Sequence, residues 1–260
     1  MSRFFLYIVF LFYFAKLSAL AIGNPSDPGL YHDGVISSCR KNFSIRASYL
    51  NDHIYKSKFE DKFKNLSSTP SDIQMNIYAG IITFNFYNYL DIYAIAGSTN
   101  LQIDNQIFTN RRFAWGAGFK TIFMKFNNID FTFDGKYFST IQKPQYFVVE
   151  EKIYPLATSF EQHLEEFQGS IGISYVSNYL IPYIGTTYLY STITPNPAAG
   201  LLILPGGDTT YFDTSTSIAK KRWGLALGMS VINKKKQATL TLETRMYNQN
   251  ALSFLGTLRF

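Results

Sequence analysis

The sequence has one cysteine and three histidines in 260 residues, and after its first fifteen residues it has no long apolar run. Each scarcity excludes a chemistry. A lone Cys39 allows no internal disulfide and no site built on paired cysteines. His32, His53 and His163 are widely spaced, and the His163-Leu164-Glu165-Glu166 run lacks the H-E-x-x-H spacing of a zinc hydrolase. No G-x-S-x-G elbow and no phosphate-binding loop is present. Neither a metal nor a cofactor is expected, and without convergent acid–base groups neither is an enzyme. Charge is modest as well: the formal net value of +6 is too weak to argue for nucleic acid. The clusters Lys220-Lys221-Arg222 and Lys234-Lys235-Lys236 read as solvated strand ends.

The apolar run near the start is short. Arg3 precedes it, residues 4–15 are apolar, and Lys16 interrupts it below the roughly 18 residues a spanning helix needs. An A-x-A-like site follows at Ala19-Leu20-Ala21. Residues 1–21 therefore read as a secretory signal peptide, with cleavage expected after Ala21. A membrane crossing beyond this point would have to be made by strands.

Aromatic residues are abundant: 24 Phe and 19 Tyr bring aromatics to 17%. Mean hydropathy is nevertheless only −0.03. Strands that alternate lipid-facing and lumen-facing residues, bounded by aromatic girdles, produce this combination. The C-terminal strand shows it clearly. Leu252, Phe254, Gly256, Leu258 and Phe260 fall on one side, and Ser253, Leu255, Thr257 and Arg259 on the other. A strand of this kind, ending on an aromatic residue, resembles the closing strand of a bacterial outer-membrane barrel.

Period-two patterning predicts about ten strands, at 42–50, 73–86, 90–98, 112–125, 129–140, 166–176, 179–191, 222–232, 237–247 and the C-terminal stretch to Phe260. The second and third are apolar on both faces in places, which leaves their orientation open. Short Asn-bearing connections (around 88, 127–128, 177–178, 233–236) alternate with long ones (51–72, 99–111, 141–165, 192–221). Only the last outer connection, around 248–250, is short. Loops sorted by length in this way indicate an all-β, antiparallel transmembrane barrel over residues 42–260, closed by the C-terminal strand. Residues 22–41 are expected to form a periplasmic segment.

Alternation turns eight charged side chains inward: Arg46, Lys120, Asp130, Asp134, Lys136, Glu243, Arg245 and Arg259. Five basic and three acidic groups in one lumen would weakly favour anions. The other reading is pairing across strands, with Glu243 meeting Arg259 and Arg46 brought close by barrel closure. Gly116, Gly118, Gly172, Gly224 and Gly228 also face inward and would leave room for water. The loop 192–221 carries an apolar tetrad, Leu201, Leu202, Ile203 and Leu204, expected to fold into the lumen as a constriction, meet lipid or a partner, or form a β-ribbon at the mouth. Cys39 either pairs with another molecule or is an inert thiol.

Five blocks in order resemble the chlamydial major outer membrane protein family. They are residues 23–36 (GNPSDPGLYHDGVI), 44–49 (SIRASY), 113–120 (FAWGAGFK) with Gln142-Lys143-Pro144, 167–175 (FQGSIGISY) with 182–185 (PYIG), and 240–246 (LTLETRM) with the L-R-F ending. The chain is identified as a short, divergent, cysteine-poor member with a narrower lumen. The resemblance implies a porin in the bacterial outer membrane that passes small hydrophilic solutes and also serves as a structural envelope protein. The alternative is a non-conducting structural or adhesive barrel acting through its outer loops. Implied partners are outer-membrane lipid, the barrel assembly machinery, and copies of itself or disulfide-linked envelope proteins.

Overall fold

A computed structural model describes residues 20–31, 34–35, 42–61, 71–149, 151–155, 161–196, 200–203, 209–212 and 216–260. In chain order the elements are a one-turn helix α1 (Asp27–Leu30) and the strands β1 (Phe43–Asp61), β2 (Ser71–Phe86), β3 (Leu90–Ile103), β4 (Ile107–Thr109), β5 (Arg112–Phe126), β6 (Ile129–Gln142), β7 (Pro144–Val149), β8 (Lys152–Pro155), β9 (Glu161–Tyr175), β10 (Leu180–Asn196), β11 (Gly200–Ile203), β12 (Thr209–Phe212), β13 (Ser217–Ala219), β14 (Trp223–Ile232), β15 (Ala238–Met246) and β16 (Gln249–Arg259). Ten of them pair in the cycle β1–β2–β3–β5–β6–β9–β10–β14–β15–β16, and β16 returns to β1 through Arg46↔Arg259 to Ser57↔Gln249. All these pairings are antiparallel, so the chain is a closed ten-stranded barrel. Among the described residues no helix is long and apolar enough to cross a membrane.

The alternation seen in sequence is the inside–outside division of the wall. On β6, Asp130, Thr132, Asp134 and Lys136 are buried, while Ile129, Phe131, Phe133 and Tyr137 face out. Exposed Phe113, Trp115, Phe119 and Phe123 line the outside of β5, and Leu240, Leu242, Phe254 and Leu258 that of β15 and β16. Such a coat is unfavourable in water and favourable in lipid, so the barrel is a transmembrane one. Neighbouring rings interlock across strands: Trp115 with Tyr137 at 5.3 Å, Tyr137 with Phe167 at 4.6 Å, and Tyr188 with Trp223 at 5.1 Å.

Four tight connections, around 88, 127–128, 177–178 and 233–236, share one end, and the tight turn between β15 and β16 stands at the other. Asn127 at φ +52° opens the two-residue turn between β5 and β6. Between β14 and β15, the Asn233 side chain accepts the amides of Gln237 and Ala238 at 2.7 and 3.1 Å. The strands at the other end are longer than the sequence pattern predicted. Residues 51–61, 99–103, 161–165 and 192–196, expected in loops, continue β1, β3, β9 and β10. The 19 residues of β1 exceed the roughly 9–11 that cross a bilayer. Beyond the lipid the outer face turns polar while Ile54, Phe59, Leu101, Leu164 and Ile193 are buried inside. The apolar side thus switches faces, and the lipid-facing pattern that marks these strands stops.

Above the short β14–β16 side, β13 bridges the gap by pairing with both β1 (Phe59↔Ala219) and β10 (Thr192↔Ile218). The predicted loop 192–221 thus supplies a strand that continues the wall. Within it, Leu201, Leu202 and Ile203 lie on β11, which pairs with β12 in a two-stranded sheet apart from the barrel. This is the ribbon alternative, and no lumen constriction is assigned to it. Leu204, Cys39 and His32 lie outside the described residues.

Candidate functional site

The site is the lumen, and it is full. Residues 22–31, expected in the periplasm, instead run inside the barrel together with Leu20 and Ala21. Leu20, Ile22, Asn24, Ser26, Leu30 and Tyr31 are all buried. The reason is chemical: a polar inner wall rich in donors captures the backbone carbonyls of a segment with only one helical turn of its own. Lys136 donates to Ala21 O and pairs with Asp134 at 2.9 Å. Lys120 donates to Asn24 O at 3.0 Å and lies 3.4 Å from the Asp27 carboxylate. Arg46 donates to Asp27 O, pairs with Asp91, and stacks over the Tyr31 ring at 4.9 Å. Asn85 donates to Pro28 O at 3.1 Å, and Arg259 donates to Tyr31 O. The Tyr31 hydroxyl meets Thr239 Oγ1 at 2.6 Å.

Glu243 makes the opposite kind of contact. The backbone amides of Ile22 and Gly23 both donate to its carboxylate at 3.0 Å, one to each oxygen. Gly23 sits at φ +66°, the left-handed region where glycine carries no Cβ penalty, and so lets two successive N–H groups converge on one anion. The Tyr183 hydroxyl donates to the same carboxylate at 2.8 Å, and Arg245 Nε lies 3.7 Å away.

All eight predicted inward charges are buried and face the lumen. Their partners differ from the expected ones. Arg46 does stand opposite Arg259 in the closing register, as barrel closure required, but backbone carbonyls of the N-terminal segment lie before both guanidinium groups. Glu243 faces Ser253 on β16 rather than Arg259, so the expected Glu243–Arg259 pair does not form across the register. Arg245 pairs with Asp52, both side chains 0% exposed. Asp130 lies opposite Ser174 and Lys125.

The expected anion preference is also corrected. Four further buried acids, Asp27, Asp52, Asp91 and Glu166, bring the described lumen to five basic and seven acidic side chains. Asp52 was hidden in a stretch read as loop, Asp91 on the strand whose orientation was open, and Asp27 on the segment placed outside.

The inward glycines do not leave room for water; they act as sockets. A Cβ on Gly228 would lie 2.1 Å from the Tyr183 ring, on Gly118 2.6 Å from Tyr93, on Gly224 2.1 Å from Asn248, and on Gly172 2.7 Å from Pro25 of the N-terminal segment. On Gly116 it would lie 2.4 Å from Tyr137 O. Toward the long-strand end an apolar core takes over: Leu50, Ile54, Ile77, Leu101, Phe138, Leu164 and Leu189 are each at most 3% exposed. Between wall and segment remains a cavity of about 50 Å³, enough for a few waters.

Among the described residues no group of three His, Cys, Asp or Glu side chains is placed to hold a metal. His53 Nδ1 meets Asn76 at 2.6 Å and His163 Nε2 meets Ser139 at 2.9 Å, each outside the lumen cluster.

No protein-family model matches the sequence, and no curated protein does. Solved structures similar in shape are outer-membrane barrels. The outer membrane protease OmpT from Escherichia coli is 11% identical, with a TM-score of 0.44 over 84% of this chain and 96% of that one. OprG from Pseudomonas aeruginosa is 10% identical, with 0.39 over 89% and 98%. An outer membrane channel from Pseudomonas putida F1 is 9% identical, with 0.40 over 95% and 98%. At these values no activity passes from them to this chain.

Proposed function

We propose that this chain is a structural protein of the bacterial outer membrane, exported by its signal peptide and folded as a closed, non-conducting barrel. Its C-terminal strand, ending in Phe260, presents the signal to the assembly machinery. The observation that carries this reading is the filled lumen: the N-terminal segment occupies one half and an apolar core the other. A ten-stranded wall is close to the size at which side chains alone fill the interior. What remains for function is the lipid-facing coat and the rim of long strands, with Cys39 as a candidate link to a neighbouring envelope protein. The sequence resemblance to the chlamydial major outer membrane protein family supports an envelope role.

A second reading, a porin for small hydrophilic solutes, draws on the same resemblance and on one local feature. Along the inner face of β9, Glu166 Oε2, both amide atoms of Gln168 and Ser170 Oγ have no protein hydrogen-bond partner. Polar atoms of this kind suit a wall that water reaches. Deleting the protein from its cell separates the two. A structural barrel predicts sensitivity to detergent and osmotic shock with unchanged uptake of small solutes. A fall in uptake with an intact envelope would overturn it in favour of the porin.

A further inference from the structure

We infer that Glu243 is the receptor for the α-ammonium group created when the signal peptide is removed, and that this ion pair locks the N-terminal segment into the lumen. The inference rests on cleavage after Ala21, and not on whether the barrel conducts. Two independent observations meet at one bond. The A-x-A pattern of Ala19-Leu20-Ala21 places cleavage between Ala21 and Ile22. The barrel places Ile22 N 3.0 Å from Glu243 Oε1, on the inner wall of β15 and more than two hundred residues away in sequence.

The chemistry of cleavage changes what that nitrogen is. Hydrolysis by a signal peptidase adds one water across the Ala21–Ile22 peptide bond. Ala21 leaves as a carboxylate, and Ile22 keeps the nitrogen, which takes up the proton and becomes an ammonium. One neutral N–H donor is thereby exchanged for three donors and a full charge, at a distance already right for a charge-assisted hydrogen bond. Glu243 is prepared for it. Its other oxygen is fixed by Gly23 N and the Tyr183 hydroxyl, so the carboxylate cannot swing away. Lys136, which donates to Ala21 O before cleavage, loses that acceptor with the leader and keeps its own carboxylate, Asp134, at 2.9 Å.

Cleavage changes what Glu243 holds. Before cleavage Ile22 offers a single neutral donor. Afterwards the segment begins with a charge that faces the Glu243 carboxylate, beside a cavity of about 50 Å³. An uncompensated buried ion is strongly unfavourable, so the processed segment is held where Glu243 is. Leu20 and Ala21, which pack beside the segment in the uncleaved chain, depart with the leader.

The test uses the protein purified from the outer membrane. N-terminal sequencing should give Ile22; any other first residue overturns the inference. Amine acylation at neutral pH should then label the α-amine of the folded barrel at least about tenfold more slowly than that of the heat-unfolded chain. Equal rates would overturn it, with no variant needed. Glu243→Gln, checked for folding by its heat-modifiable mobility, should lose most of that protection. Undiminished protection in a folded Glu243→Gln barrel would remove Glu243 from the role. Should that variant not fold, Glu243→Asp, one methylene short of the amine, should give intermediate protection, and full protection there would equally contradict the pairing. None of these outcomes depends on solute passage, so they separate this lock from the structural reading above.

Discussion

A buried charge is tolerable only with its partners in place, and the lumen shows what that demands of single residues. The Asp52 carboxylate, fully buried, receives Arg245 from β15 and the Ser253 hydroxyl from β16 at 2.7 Å. Removing Asp52 leaves the Arg245 guanidinium with Glu243 at 3.7 Å and Ser253 at 3.3 Å, so the loss is that of a charge-assisted hydrogen bond, about 1.5–3 kcal/mol. Asp52→Ala should therefore lower the unfolding free energy in urea by that amount, followed through Trp115 and Trp223 fluorescence. Lys56→Ala should cost less than about 1 kcal/mol, because the Lys56–Asp72 pair at 2.8 Å lies on the exposed rim where water screens it. Period-two alternation revealed that Arg245 and Glu243 point inward. Their partners were not legible, because a strand's pattern fixes the face of a side chain and not the register of its neighbour. That is why Ser253, rather than Arg259, stands opposite Glu243, and why Asp52 as the partner of Arg245 was not foreseen.

The strands show where this legibility stops along the chain. Within the lipid the contrast between faces is sharp, and β5, β6, β14, β15 and β16 were readable almost to the residue. On β2 the inner face carries Ile73, Met75, Ile77 and Ala79 while the outer face carries lipid-facing groups such as Ile82 and Phe84. Both faces are apolar for different reasons, and the sequence cannot tell a dry core from a membrane. The outward assignment of β15 is testable directly. Leu242→Arg puts a charge on the lipid face and should cost about 2–4 kcal/mol near the bilayer midplane, less toward either interface. A neutral outcome in an unfolding titration from lipid vesicles would place Leu242 elsewhere. The glycines carry a similar lesson. A glycine facing a lumen reads as space, whereas Tyr183 over Gly228 and Tyr93 over Gly118 are side chains seated in that space.

Taken whole, the molecule is a barrel that carries its own filling. Closure, strand number and the sorting of turns and loops were all present in the sequence as periodicity. The plug was not, because residues 20–31 have no strand pattern, and their place depends on carbonyl acceptors meeting Arg46, Lys120, Lys136 and Arg259 across the fold. The same basic side chains that alone would suggest an anion-lined channel are thereby used up in holding a segment. At the far end β13 links β1 to β10, and the interior there is packed with apolar side chains. Ion conductance of the processed protein in a planar bilayer tests this most directly. The closed barrel predicts a folded, heat-modifiable protein that inserts and gives no discrete current steps. Steps whose size changes on neutralising Lys120 or Arg245 would contradict it and establish an open, charged lumen.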